Sequence, residues 1–298
     1  MARNPNHIRL TGAERVYQVV IAVIVGIVTL LCLFPFIYVV GMSLTSEGEL
    51  LANNYFVIFP KHPTFRTYQL VFEQSGVLHS LLISVLRTVV GPAASLLLVV
   101  PAGYILAKDD MPGHRGLVIF FVITMILNGG LIPGYLLINK LHLMNTFWVY
   151  IIPAMGNAFN MMIVKIFVEG IPGDIMESAD LDGASELQKM TRIAVPLLVP
   201  TICALGLFSA VAQWNSWFDV MLYVHDANLY SMSYVIKQLM TSVNVSDTMS
   251  SMVNPIDRVT PEGFKMASVV IAVLPILCVY PFLQKYFIYG VYTGSVKG

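Results

Sequence analysis

Charge is what this chain has least of. Of its 298 residues 11% are charged and 57% are apolar, where a soluble domain carries roughly a quarter charged residues. That balance excludes an ordinary water-soluble globule. Seventeen Lys and Arg offset seventeen Asp and Glu, which argues against a nucleic-acid partner, since phosphates select a basic surface. Cys32, Cys203 and Cys278 lie far apart inside apolar runs without metal-ligand spacing, and read as small buried hydrophobes. The six histidines form no H-x-x-H or H-E-x-x-H cluster, so no metal site is expected. No G-x-x-x-x-G-K-[ST] occurs, which leaves the chain without a nucleotide cradle of its own. The apolar runs hold essentially no Asp or Glu away from their ends. This counts against an ion-coupled secondary transporter, and the lack of a paired carboxylate or nucleophile–base pattern counts against a membrane enzyme.

What the chain does have is length of apolar sequence. Crossing a bilayer core takes about 20 mostly apolar residues. Six stretches approach or exceed that length, at about 16–40, 78–107, 117–138, 147–168, 197–218 and 266–288. The expectation is an all-α integral membrane protein, with 1–298 forming one transmembrane domain. The first stretch follows Arg3, Arg9 and Arg15 and lacks a small-residue cleavage site, so it reads as a retained helix. Lys108, Arg115, Lys165, Lys189, Arg192, Lys285 and Lys297 fall on the side of that N-terminus, and the positive-inside rule then makes both termini cytoplasmic. Segments 41–76 and 219–265 become extracytoplasmic loops. The third run is interrupted by Asn128, Gly129, Gly130 and Pro133. A broken helix at that depth either lines a pathway or packs as a kink, and the sequence leaves both open.

The segment 170–196 is too polar for lipid and too long for a turn. Asp174 with Glu177, and Ser185 with Gln188, have the spacing of N-terminal capping boxes. Gly183 stands between them as a natural helix stop, because it takes the left-handed conformation without steric cost. Two helices divided at Gly183 are predicted. Small Ser178 and Ala179 allow another backbone to approach, and Glu177 and Asp182 offer charge to a basic partner.

The run Glu177-Ser178-Ala179, three residues, Gly183, nine residues, then Ile193-Ala194-Val195-Pro196 resembles the EAA loop of ABC importer permeases, E-A-A-x3-G-x9-I-x-L-P. Ser178 and Val195 depart mildly from it. Asp182-Gly183-Ala184 matches the carbohydrate branch. The stretch from Asn128, NGGLIPGYLLINKLHLMNTFWVYIIP, and LRTVVG from Leu86 resemble oligosaccharide permeases of the LplC/YtcP type, and the ending G-x-x-x-G-S-V-K-G from Gly290 resembles that of MalG-like permeases.

The resemblance implies a type I ABC importer permease fold of six transmembrane helices in a bacterial cell membrane. It makes 170–196 a cytoplasmic coupling loop, in which Glu177, Ser178, Ala179, Asp182, Gly183 and Ala184 meet an ATPase subunit. It implies a paralogous permease partner, two ATP-binding subunits that hold the ATP and Mg, and an extracytoplasmic solute-binding protein that delivers an oligosaccharide. No cofactor and no enzymatic activity are expected in this chain, and a non-sugar solute is the alternative cargo. The tail from Thr293 to Lys297 is expected at the ATPase interface or frayed.

Polar side chains inside the runs are candidates for the substrate pathway, because facing lipid is costly for them. They are Arg87, Asn128, Asn157, Asn160, Gln213 and Asn215, with Trp214 and Trp217 flanking the last pair. An aromatic beside an amide suits a sugar's apolar face and hydroxyl edge. Tryptophans at a span end equally serve as interfacial anchors, and Arg87 equally pairs with a neighbouring helix.

Overall fold

The computed structural model describes residues 12–53, 56–73, 76–127, 129–242 and 262–278. Among them helix dominates and no strand occurs. Asn128, the N-terminal arginines Arg3 and Arg9, the tail from Thr293 and the second half of the sixth run lie outside the described residues. The chain divides into two units, 1–71 with 243–270 and 72–242 with 271–298.

The first unit is built on α1 (Gly12–Ser43), with α2 (Glu47–Ala52) and most of α3 (Arg66–Glu73) following. α1 is apolar on every side and exposed along almost all of its length, with only Gly41, Met42 and Ser43 buried. Such a helix needs lipid or protein around it. At its end Met42 packs with Leu50 and Val57. A Cβ on Gly41 would sit 2.1 Å from the Ile58 carbonyl oxygen, so only glycine lets the returning chain pass.

The second unit is organised around α4 (Val77–Leu106). Then come α5 (His114–Ile126), α6 (Leu131–Lys140), a 3-10 turn at Phe147–Tyr150, α7 (Ile152–Met155) and α8 (Ala158–Glu169). The loop helices are α9 (Gly173–Leu181), α10 (Glu186–Lys189) and α11 (Val195–Leu197). α12 (Val199–Asn215), α13 (Phe218–Tyr223) and α14 (Met232–Ser242) complete the unit. α4 buries Ser80, Ser84, Arg87, Gly91, Ser95, Val99 and Gly103, spaced three or four apart and therefore on one face. Small residues on that stripe let neighbouring helices come close, the usual basis of packing in membranes. Gly91 meets the side chain of Gln213 on α12, and Gly103 meets Val164 on α8.

A Cβ at Gly103 would stand 2.6 Å from Val164 Cβ and 2.8 Å from the Met161 carbonyl oxygen. Gly103→Ala is therefore expected to destabilise by about 1–3 kcal/mol through overpacking. Gly116→Ala, with nothing within 4 Å, serves as the neutral control in thermal unfolding of the detergent-solubilised protein. Equal melting of the two variants would mean that α4 and α8 are not in tight contact.

Among the described residues two helices, α1 and α4, are long and apolar enough to cross a membrane, and up to five spans result if each of three bent pairs counts as one. The predicted third run is divided between α5 and α6. The interruption lies at 127–130, and Pro133 falls in the first turn of α6, where its missing N–H costs nothing. The fourth run breaks at Gly156 and Asn157 with a 44° bend, and the fifth is entered through a 77° bend between 197 and 199. Pro196 and Pro200 bracket that bend, each lacking the N–H that a continuous helix needs. The fifth run also ends earlier than its apolar length, because Ser216 leaves the helix in extended conformation.

Candidate functional site

The segment 170–196 lies wholly in the second unit. α9 starts two residues earlier than the Asp174/Glu177 spacing predicts. Its N-cap is Pro172, and no side chain caps it. Asp174 sits inside the first turn, where its charge meets the positive end of the helix dipole. The second capping box is present as predicted. The Ser185 hydroxyl accepts the Gln188 N–H at 3.4 Å, and Gln188 Oε1 accepts the Ser185 N–H at 2.8 Å.

Between them the chain turns at Gly183, whose φ is +74°. The Ala184 N–H donates to the Ala179 carbonyl at 2.9 Å and the Gly183 N–H to the Asp180 carbonyl at 3.0 Å. This pair of bonds is the Schellman termination, which satisfies carbonyls that a helix end otherwise leaves open. Downstream, α10 widens into a π turn at Met190–Ala194 before α11. The Val195 N–H reaches back five residues to the Met190 carbonyl, just ahead of Pro196.

α9 buries Ala179 and turns Glu177, Ser178 and Asp182 outward. Neither Glu177 nor Asp182 has a side-chain partner among the described residues. Ser178 bonds back to the Ile175 carbonyl at 3.0 Å. Leu181 is 87% exposed and Leu187 65%. Both leucines stand bare in a segment too polar for lipid, and residue-type counting missed them because isolated leucines look unremarkable in an apolar sequence.

Sequence reasoning also missed a charge cluster beneath the loop. Lys189 is buried, and its Nζ lies 2.5 Å from Asp180 Oδ1 on α9 and 2.5 Å from Glu186 Oε1 on α10. Glu186 Oε2 in turn takes the Tyr104 hydroxyl at 3.1 Å and pairs with Lys108. Burial and the like charge of Lys189 hold the Lys108 ammonium below its ordinary value. The cluster joins the loop helices to the end of α4. The signal in the sequence is Glu186 three residues before Lys189 on one helix face.

The intramembrane candidates separate into two groups. Arg87 is 1% exposed and fully engaged. Its Nε donates to Gln213 Oε1 at 3.0 Å, its guanidinium pairs with Asp219 and reaches the Ser216 carbonyl, and it lies 4.2 Å over the Tyr150 ring. Gln213 is buried too, its amide donating to the Tyr150 carbonyl at 2.9 Å, and Trp214 Nε1 donates to the Ala272 carbonyl at 3.1 Å. These three face protein, so the pairing alternative for Arg87 describes its geometry, and they present nothing to a passing solute in this conformation. Asn157 caps α8 by accepting the Asn160 N–H at 3.0 Å. Asn157 and Asn215 are exposed, and Asn160 and Trp217 half-buried. Asn215 bonds the Val211 carbonyl of its own helix, and Lys237 stands 5.3 Å over the Trp217 ring.

No family model matches the chain. It is 39% identical over 293 residues to the protein LplC of Bacillus subtilis, covering 97% of both chains. It is 34% identical over 288 residues to the polygalacturonan/rhamnogalacturonan transport system permease protein YtcP of the same organism, covering 96% of this chain and 99% of that one. The arabinooligosaccharides transport system permease protein AraQ of B. subtilis is 25% identical over 291 residues, covering 95% of this chain and 97% of that one. Among solved structures, a chain of a bacterial ABC transporter involved in the import of the acidic polysaccharide alginate superposes with a TM-score of 0.84 at 28% identity. That match covers 93% of this chain and 99% of the other.

Proposed function

Because the chain belongs to the permease family of carbohydrate ABC transporters, we propose that it imports an oligosaccharide delivered by an extracytoplasmic binding protein, using α9 as the docking helix for an ATPase subunit. The observation that carries the docking role is the shape of the loop. α9 is stopped by the left-handed Gly183 and holds Glu177, Ser178 and bare Leu181 outward. The chain is not itself an enzyme. ATP and Mg are held by the ATPase partners, whose closure moves the docking helices and rocks the spans between inward-facing and outward-facing states. Each ligand drives that exchange only through its difference in affinity for the two states.

The oligosaccharide class rests on the relatives named for polygalacturonan/rhamnogalacturonan and arabinooligosaccharide transport. On this reading six spans enclose the pathway, both termini are cytoplasmic, and a paralogous permease completes the pair above two ATPases. Asn157, Asn160, Asn215 and Trp217 retain exposed atoms for a sugar. Purification of the tagged chain from its native membrane is expected to bring down the ATPase and the second permease. Leu181→Asp, which puts a charge where an apolar contact is proposed, is expected to lose the ATPase while leaving the permease pair intact. Retention of the ATPase by Leu181→Asp would show that the face carrying Leu181 is not the docking surface.

A further inference from the structure

The geometry points to Lys189 as a positioning residue, a buried ammonium that locks the docking helix to the end of α4 so that motion of the loop is delivered to the span. The inference rests on the docking role proposed for α9. Its substance is the arrangement of four charges and a phenol. Lys189 sits between Asp180 of α9 and Glu186 of α10, both at 2.5 Å, and Glu186 passes the connection to Tyr104 and Lys108 at the end of α4.

Lys189 exposes 7% of its side chain, against 58% for Asp180 and 56% for Glu186. Two ammonium and two carboxylate groups cancel, so the cluster is neutral and has no electrostatic reason to open. The turn at Gly183 is closed by the backbone bonds from Ala184 to Ala179 and from Gly183 to Asp180, and nothing packs within 4 Å of a Cβ position there. The ion pair from Lys189 to Asp180 spans the turn, connecting the helix on one side of Gly183 to the helix on the other. Removing Lys189 leaves Asp180 and Glu186 as two neighbouring anions without the cation between them, and α9 is released.

The test uses the full complex reconstituted in proteoliposomes, with Lys189→Met and Lys189→Arg. Residues along a coupling element typically shift coupling by about two- to thirty-fold when changed, and a loss of transported sugar per ATP within that range is expected for Lys189→Met. Transport is scored per ATP hydrolysed in complexes that retain the ATPase. Lys189→Arg should recover most of the transport per ATP, which a loss of general stability would not allow. Amide exchange over 174–182 in the purified full chain supplies a readout that needs no ATPase, and faster exchange is expected in Lys189→Met only. Unchanged exchange in Lys189→Met, or unchanged transport per ATP with the complex intact, overturns the inference. Failure of the wild-type chain to retain an ATPase would instead overturn the docking role of α9, while the amide exchange still decides whether Lys189 holds α9 in place.

Discussion

Asp219→Ala is expected to be among the most destabilising single substitutions in this chain, worse than Arg87→Met, and the two apolar replacements together should be milder than either alone. Breaking a buried pair by removing one partner costs about 3–5 kcal/mol, because the other charge remains buried and unpaired. Arg87 is 1% exposed and Asp219 24%, which makes the arginine the more costly group to strand. Without Asp219 the guanidinium keeps only the neutral acceptors Gln213 Oε1 and the Ser216 carbonyl. Without Arg87 the carboxylate still accepts the Ser216 hydroxyl at 2.8 Å and the Val220 N–H at 2.9 Å and reaches solvent. The double variant Arg87→Met/Asp219→Ala strands neither. Thermal unfolding of the solubilised chain orders the three, and a double variant less stable than both single ones would show that the pair is not compensating its own burial.

Gly183→Val is expected to reduce transport far more than Glu177→Gln. At φ +74° an L-residue pays about 1–2 kcal/mol for the left-handed conformation, and a β-branched one is a genuine outlier there. The open space around Gly183 isolates the backbone angle as the cause, so Gly183→Asn, which tolerates this region, should retain most transport. Losing the turn reorients α9 as a whole. Glu177 is exposed and internally unpaired, and its contact with a partner would contribute about 1.5–3 kcal/mol only if desolvated, and much less if it stays wet. Substrate uptake in vesicles measures both variants side by side. Equal uptake by Gly183→Val and Glu177→Gln would falsify the primacy of the turn.

What the sequence made legible is what neighbouring residues decide among themselves. The interruption near Gly130, the stop at Gly183 and the Ser185–Gln188 box are all set within a few residues, and the structure contains them. The start of α9 escaped because Pro172 and Gly173 open the helix ahead of Asp174, which turns an apparent cap into a first-turn acid. The identity of the partners of Arg87 escaped for a different reason. Its partners are 126 and 132 residues away in sequence, and Asp219 lies just past the end of an apolar run, where a carboxylate looks like ordinary loop. A buried arginine nonetheless demands an anion, and the acid nearest a span end was the place to look. The Asp180–Lys189–Glu186 cluster was hidden in the same way, since Lys189 counts as one more inner-side positive charge until α9 folds back onto it.

α4 remains continuous over thirty residues while the other predicted spans of its unit are divided by glycine, asparagine or proline. At 1.5 Å per residue it is about 45 Å long. Its first half carries Arg87, tied to Asp219 beyond the fifth run, and Tyr104 in its last turn and Lys108 two residues past its end are tied to the loop beneath α9. α4 carries Pro92 and Pro101 within it and still stays one helix, whereas its neighbours are jointed. On the docking role proposed for α9, its stroke is carried along this one helix, as by a pushrod.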